Sequence, residues 1–537
     1  MQYAQKLHER LEVFRNCSQE EISSLVAAVI PQECLPNHFL QDLSDEDRIL
    51  CYRAIMLSWG ASQPTMVPTE MILRVVLADK HGKDALVQAE RSYGYQLAIA
   101  LCILLDDPAE NSITITVSPL KRIQAESDCN MYNIFGIPTV RIDKETPSGR
   151  EWWDTHVYNP DTKGMGTARH LLVTPEQIQK SWPAWQLSKL GVLMQDRDEH
   201  GFYNNIKRIN VEEAHSVQTV SIPKYTHPYA RSPWGRLSEP KIILPRRVLW
   251  KAFSTTVPPH VLKTLENKIL DQDFVPIRQP YYRPYTMYAT HQVYGSIEKL
   301  RNYECFLKLP FSPEGQPRVL ILVDNPFLAS RIAEYLDERL PPECQNAGII
   351  RQYHSVMSNA YIKKVYDSLF KEDGVCRIVV AVLGDSVSVD FPNIDIVCLA
   401  GLPPTMVDAL QSATSLKLYG PSLFLIFYEK WAKEIDQDEY EDGDSSDPDR
   451  VRDVDDLSPG APKRSDKAPL SAIQLVQSSE CLRCFYADYL GEDSPQATLY
   501  AGPFCCDRHD DGFELQNWLP GPIYTGPKTR DVPAESA

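Results

Sequence analysis

Residues 82–98 read G-K-D-A-L-V-Q-A-E-R-S-Y-G-Y-Q-L-A. A short apolar run, Ala85 to Val87, feeds a turn, and an apolar-periodic segment from Leu97 to Leu105 comes after it. Strand, loop and helix in that order are the setting of a phosphate-binding loop, whose pattern is G-x-x-x-x-G-K-[ST]. Ala89 stands at the first position and Gly94 matches the second glycine. The lysine position holds Tyr95, and the magnesium-binding hydroxyl position holds Gln96. Taken alone the match decides nothing. Its weight comes from the segments further along the chain.

T-I-T-V-S-P-L-K (Thr114 to Lys121) is an apolar strand that ends in a Pro-marked turn. H-L-L-V-T-P-E-Q (His170 to Gln177) repeats the design. Pro after Thr at a first helical turn is a helix-start signal, and such N-termini suit phosphate. I-N-V-E-E-A-H runs from Ile209 to His215, and Ser254-Thr255-Thr256 precedes V-P-P-H. V-L-I-L-V-D (Val319 to Asp324) opens a second α/β series, continued by Tyr353-His354-Ser355, by Arg377 to Asp390, and by Q-S-A-T-S-L-K-L from Gln411 to Leu418. Strands near Leu320, Ile378, Ile396 and Leu425 are apolar without alternation, as strands covered on both faces are. Short apolar strands that alternate with helical stretches predict parallel sheets with crossover helices, an α/β fold.

In this order the segments resemble motifs I, Ia, Ib, II and III of a superfamily-two DNA helicase, then its second-lobe motifs. The V-S-P-L turn of Val117 to Leu120 makes the RecQ-type helicases the best match. So does the tail C-L-R-C-F-Y-A-D-Y-L-G-E…C-C-D-R-H, which resembles the RecQ zinc element C-R-R-x-x-x-x-x-Y-x-G-E…C-x-x-C-D-x-C. The resemblance spans residues 67–510. It implies two tandem RecA-like lobes, a small C-terminal zinc module, and ATP-driven 3′-to-5′ unwinding of DNA with Mg²⁺.

Carried over position by position, the resemblance puts Ala89, Gly94, Tyr95 and Gln96 in the nucleotide loop. Glu212 takes the Mg²⁺-ligand position, usually Asp. Glu213 is the candidate base for water attack, and His215 completes the motif. Single-stranded DNA contacts would fall to Ser118, Lys121, Arg122 and Thr174 in the first lobe and to His354 in the second. Motif VI should read Q-R-x-G-R-x-G-R. Gln411 opens it, and Ser412, Ser415 and Leu418 stand at all three arginines. Ile72 lies near the position of the family's adenine-reading Gln, Thr255 replaces an alanine of motif III, and Ser388 replaces a glycine of motif V.

Phosphoryl transfer needs cations around the γ-phosphate, from the loop lysine, Mg²⁺ and arginines. Tyr95 supplies none, Gln96 is a poorer magnesium ligand than a hydroxyl, and Glu90 repels phosphate. An arginine finger is worth on the order of 10³–10⁵ in rate and one preorganised donor about 10²–10³. Arg91 and Lys417 are the cations nearby that would have to substitute. The expectation is a DNA-binding pseudo-helicase with little or no ATPase activity. The alternatives are a weakly active helicase using substitute residues, and a protein-interaction scaffold or non-functional relic.

Cys481 and Cys484 are followed about twenty residues later by Cys505, Cys506 and His509. Thiolates and imidazole in two close groups suit tetrahedral Zn²⁺. Cys506-Asp507 matches the family's ending, His509 replaces its last Cys, and Pro503 occupies another ligand position. The expected set is Cys481, Cys506 and His509 with either Cys484 or Cys505.

The chain has 537 residues, 43% hydrophobic and 24% charged, enough for two large domains plus small modules. No apolar run approaches the roughly 20 residues of a membrane span, and the N-terminus lacks the apolar core of a signal peptide. The expected compartment is cytosol or nucleus, with no membrane partner; A-P-K-R-S-D-K at 461–467 is the one, slight, nuclear hint. Net charge is −17, but residues 434–456 hold 12 Asp or Glu against 2 Arg, which leaves −7 for the rest. Scattered single cysteines fit a reducing compartment. The expected organisation is a helical segment over 1–66, lobes over 67–275 and 276–435, a disordered acidic linker over 436–470 open to a protein partner, the zinc module over 471–515, and a loose tail over 516–537.

Overall fold

The computed structural model describes residues 2–62, 65–90, 93–119, 131, 133–181, 186–197, 201–220, 233–354, 356–370, 374–386, 391, 393–440, 446–452, 463–509 and 511–527. The chain divides into two compact units, Met1–Tyr281 and Tyr282–Ala537. Among the described residues no helix is long and apolar enough to cross a membrane.

The first unit is built on a seven-stranded sheet: β1 (Ala85–Gln88), β2 (Ile113–Val117), β3 (Thr139–Ile142), β4 (His170–Val173), β5 (Ile206–Glu212), β6 (Leu249–Ser254) and β7 (Val275–Arg278). Their order is β7-β1-β6-β5-β2-β4-β3, and every neighbouring pair is parallel. Parallel strands put all their C-terminal ends on one edge, so the predicted site loops gather there. β1, β2, β4 and β6 are buried along their whole length, as the unbroken apolar runs predict. β7 pairs with β1, so the first lobe extends past 275 and its boundary falls at Tyr281.

Residues 1–66 are not a separate body. Helices α1 (Gln2–Asn16), α2 (Gln19–Val29) and α3 (Asp45–Ala61) share one core with α4 (Glu70–Lys80), α5 (Tyr95–Leu104) and Phe253 of the sheet. Ser18 and Glu21 form a reciprocal capping box at α2, and Ser44 caps α3 through the Asp47 amide. α1 crosses α3 at Gly60, where a Cβ would stand 2.6 Å from the Phe14 ring. At the opposite, N-terminal edge of the sheet lies an ionic cluster that periodicity does not announce. Arg208, with no exposed surface, bonds both Asp79 oxygens at 2.9 Å and Asp106 at 2.7 and 2.8 Å. Lys251 also reaches Asp79. Burial works to raise Asp79, yet Arg208 and Lys251 hold its carboxyl down at about 2.

The second unit carries a six-stranded parallel sheet: β8 (Thr286–Gln292), β9 (Val319–Val323), β10 (Ile350–Tyr353), β11 (Ile378–Val382), β12 (Ile396–Ala400) and β13 (Ser422–Tyr428), in the order β8-β13-β12-β9-β11-β10. α6 (Pro326–Asp337) follows β9 and α7 (Met406–Ala413) follows β12. α8 (Leu470–Gln477) and α9 (Leu482–Leu490) lie beyond the acidic stretch.

Disorder over 436–470 is corrected at its described residues; 441–445 and 453–462 lie outside them. Tyr440 is 1% exposed and packs with Leu470, Ile473 and Val476. Asp449, also 1% exposed, accepts from the Met406 amide at 3.1 Å, the Tyr489 hydroxyl at 2.5 Å and the Ser471 hydroxyl. Arg464 grips Asp324, just past β9, at 2.8 and 3.3 Å and reaches Glu298 at 3.3 Å. The stretch straps the C-terminal edge of the sheet because individual side chains find partners, whatever its average composition. The tail is likewise not loose as far as 527. Leu519 is buried in the second core, and Tyr524 meets Tyr294 edge-on with Lys299 and Arg301 near its ring.

Candidate functional site

In the loop after β1, Gly94 adopts φ +90°, a left-handed conformation that favours glycine, and starts α5. Tyr95 does not point outward. It is 5% exposed, its ring lies 5.1 Å from Phe253, and its hydroxyl donates to the Ala89 carbonyl. The Ala89 amide points back at that hydroxyl at 3.3 Å and at the Ser254 carbonyl at 3.2 Å. A working phosphate loop aims its amides at phosphate; here the Ala89 amide is spent on protein oxygens. Gln96 is half-buried and Glu90 is 9% exposed. Ile72 is buried against the Gly94 turn, a core side chain where adenine recognition would need a polar one. Arg91 lies outside the described residues.

Glu212 ends β5 and Glu213 takes φ +51°, both buried. The His215 Nδ1 lies 3.6 Å from Glu213 and 3.0 Å from the Ser254 hydroxyl, which also bonds the Thr256 carbonyl at 3.1 Å. Burial lowers His215 to about 4, so it is a neutral imidazole at pH 7. The segments that follow β5 and β6 are thus tied together through His215 and Ser254. Ser118 has no exposed surface and Thr174 is half-buried, while Lys121 and Arg122 lie outside the described residues.

In the second unit, Gln411, Ser412 and Ser415 are each 7% exposed on and just after α7. The Ser412 hydroxyl turns back to the Asp408 carbonyl at 2.7 Å. Lys417 is paired with Asp395 at 2.7 Å. Buried Arg283, unremarked in the sequence, donates to the Leu416 and Thr414 carbonyls at 2.7 and 2.9 Å and so caps this helix end. His354, just past β10, is 4% exposed, and neither ring nitrogen has a hydrogen-bond partner among the described residues.

Cys481, Cys505, Cys506 and His509 bring their ligand atoms within 4.8 Å of one another. Sulfurs 481 and 505 are 3.5 Å apart, and 481 and 506 are 3.9 Å apart. Two thiolates at the usual zinc–sulfur length of about 2.3 Å on a tetrahedron stand about 3.8 Å apart, so the spacing fits a metal and is far too long for a disulfide. The cluster includes Cys505 rather than Cys484, which is exposed on α9. Adjacent Cys505 and Cys506 both belong to the cluster, and their backbone lies beside the edge strand β8. The Tyr288 amide donates to the Cys505 carbonyl at 3.4 Å, and the Asp507 amide to the Tyr288 carbonyl at 3.0 Å. Hydrogen bonds from Cys505 and Cys506 hold the Cys481 thiol well below the ordinary range.

No family model and no curated protein sequence matches the chain. Among solved structures, the DUF1998 helicase MrfA bound to DNA superposes with a TM-score of 0.52 at 12% identity, over 71% of this chain and 51% of that one. MrfA bound to DNA and AMPPNP gives the same figures. The Mycobacterium smegmatis helicase Lhr bound to ssDNA and AMP-PNP gives 0.48 at 17% identity, over 71% and 47%. This chain therefore spans about half the length of MrfA. At such identity the likeness concerns the fold alone, two RecA-like parallel-sheet α/β lobes in tandem.

Proposed function

We propose that this chain is a RecQ-like helicase homologue that binds single-stranded DNA and has lost its ATP-driven motor. The observation that carries the reading is Tyr95, whose phenol sits in the nucleotide loop and bonds Ala89. The serines at two motif VI arginine positions and the Lys417–Asp395 pair add to it. Intact cores around both sheets argue that the fold is kept for something other than hydrolysis. Cys481, Cys505, Cys506 and His509 would hold Zn²⁺, whose part here is to tie α9 to the segment along β8. The measurement is ATP turnover with and without single-stranded DNA. No stimulated hydrolysis is expected. Turnover on the order of 1–100 s⁻¹, as in working phosphoryl-transfer enzymes, refutes the lost motor.

A further inference from the structure

The first turn of α6 presents a ring that the fold does not use. Phe327 is 72% exposed, while its neighbour Leu328 is buried, with its amide capped by Asn325 at 2.8 Å. One turn on, the Arg331 guanidinium lies 5.5 Å from the Phe327 ring centroid, so an aromatic face and a cation are offered together. A lone exposed aromatic is ordinary; this one is notable for its place. The start of α6 lies at the C-terminal edge of a parallel sheet, where such folds take ligands, and it brings the positive end of the helix dipole there. In the same turn Ser330 hydrogen-bonds Gln352 of β10, two residues before His354. His354 is 4% exposed with both ring nitrogens partnerless among the described residues, a polar group left ready for a ligand at that strand end. The neighbouring carboxylate, Asp324, is paired with the forked guanidinium of Arg464.

We propose that Phe327 and Arg331 form a base-stacking platform for single-stranded DNA, with His354 donating or accepting one hydrogen bond beside it. The proposal rests on the nucleic-acid reading above and names the contact in the second unit. An unstacked base offers a π-face to Phe327 whatever its identity, and the guanidinium adds attraction to ring and phosphate alike. Duplex bases are already stacked, so single strands are preferred. Charge and stacking separate in the salt dependence, because only lost cations change its slope.

The test is anisotropy of a labelled oligo(dT) titrated with the full chain across a salt series. Phe327→Ala should weaken binding about tenfold or more with an unchanged salt slope, and Phe327→Trp should restore it. Arg331→Gln should make the slope shallower by about 0.7. Because Phe327 is exposed and Arg331 only half-buried, these variants are expected to fold, and circular dichroism checks it. If the wild type binds oligo(dT) and Phe327→Ala binds equally well, the platform is overturned and the nucleic-acid reading stands. If the wild type does not bind at low salt, that reading fails and the platform falls with it.

Discussion

The Tyr95 hydroxyl donates a hydrogen bond to the carbonyl of Ala89, six residues earlier and across the mouth of the nucleotide loop. In a working loop the two positions belong to the first glycine and the lysine, and phosphate lies between them. Here the bond closes the loop on itself. With Phe253 against the ring, the tyrosine becomes core. Tyr95→Ala should therefore cost the first unit about 3–5 kcal/mol, the range for a buried aromatic, and Tyr95→Phe about 0.5–1.5 kcal/mol for the hydrogen bond. Urea melts followed by circular dichroism measure both. Tyr95→Lys should not create an ATPase, since the motif VI arginine positions hold Ser412, Ser415 and Leu418. A Tyr95→Ala chain as stable as wild type contradicts the plugged loop.

The metal cluster separates two cysteines that sequence spacing leaves equivalent. Cys484→Ser should keep a full equivalent of zinc after zinc-replete expression, because Cys484 is exposed and outside the cluster of Cys481, Cys505, Cys506 and His509. Cys505→Ser and His509→Ala should lose most of it. Metal analysis of the purified chains decides, and zinc lost from Cys484→Ser with zinc retained by Cys505→Ser would reverse the assignment. Chelation should loosen α9 and the segment along β8, since metal binding contributes folding free energy.

Two residues of the acidic stretch should behave oppositely. Asp449 is buried with three donors, so Asp449→Ala leaves the Met406 amide and two hydroxyls unsatisfied and should cost about 3 kcal/mol or more. Arg464 is 31% exposed, and Arg464→Ala should cost less than about 1 kcal/mol. Denaturation of the two variants side by side checks this; equal, negligible effects would mean that the strap does not hold.

Acid should weaken the first unit earlier than carboxylate protonation alone requires. His170 is fully buried between Thr116 at 2.8 Å and Thr139 at 3.4 Å. Burial pulls it from 6.5 to about 3, as burial lowers His215 to about 4. Both are depressed bases, so the unfolded chain binds the extra protons. Their contribution is complete above about pH 6.5 and is lost as pH falls toward 4, by roughly 1.4 kcal/mol per unit for each. A melting temperature measured from pH 7 to pH 4 should fall, and His170→Gln should flatten the fall. A flat wild-type profile excludes buried neutral imidazoles.

How much the sequence makes legible depends on how each feature is encoded. Strands such as Val319–Val323 and Leu423–Phe427 are buried on both faces, so every residue there is apolar and the run is plain. The altered loop is legible because residue identity at Tyr95 and Gln96 is itself the message. Three things are hidden. Tyr95 turning inward depends on Phe253, more than 150 positions away. Arg208 and Lys251 sit as charges inside strands, acceptable only because Asp79 and Asp106 meet them in space. Asp449 is lost in a run of acids whose average predicts disorder, since composition cannot tell a solvated carboxylate from one placed at a helix start.

The most direct test of the closed nucleotide site is the binding of Mg²⁺-ATP to the full chain by calorimetry, in the presence of oligo(dT). A loop whose first amide is satisfied by Tyr95 and whose lysine position holds that tyrosine should give no saturable heat up to about 1 mM nucleotide, weaker than about −4 kcal/mol. Stoichiometric binding in the micromolar range, lost in an Ala89→Asp variant, would contradict the claim that the nucleotide site is closed.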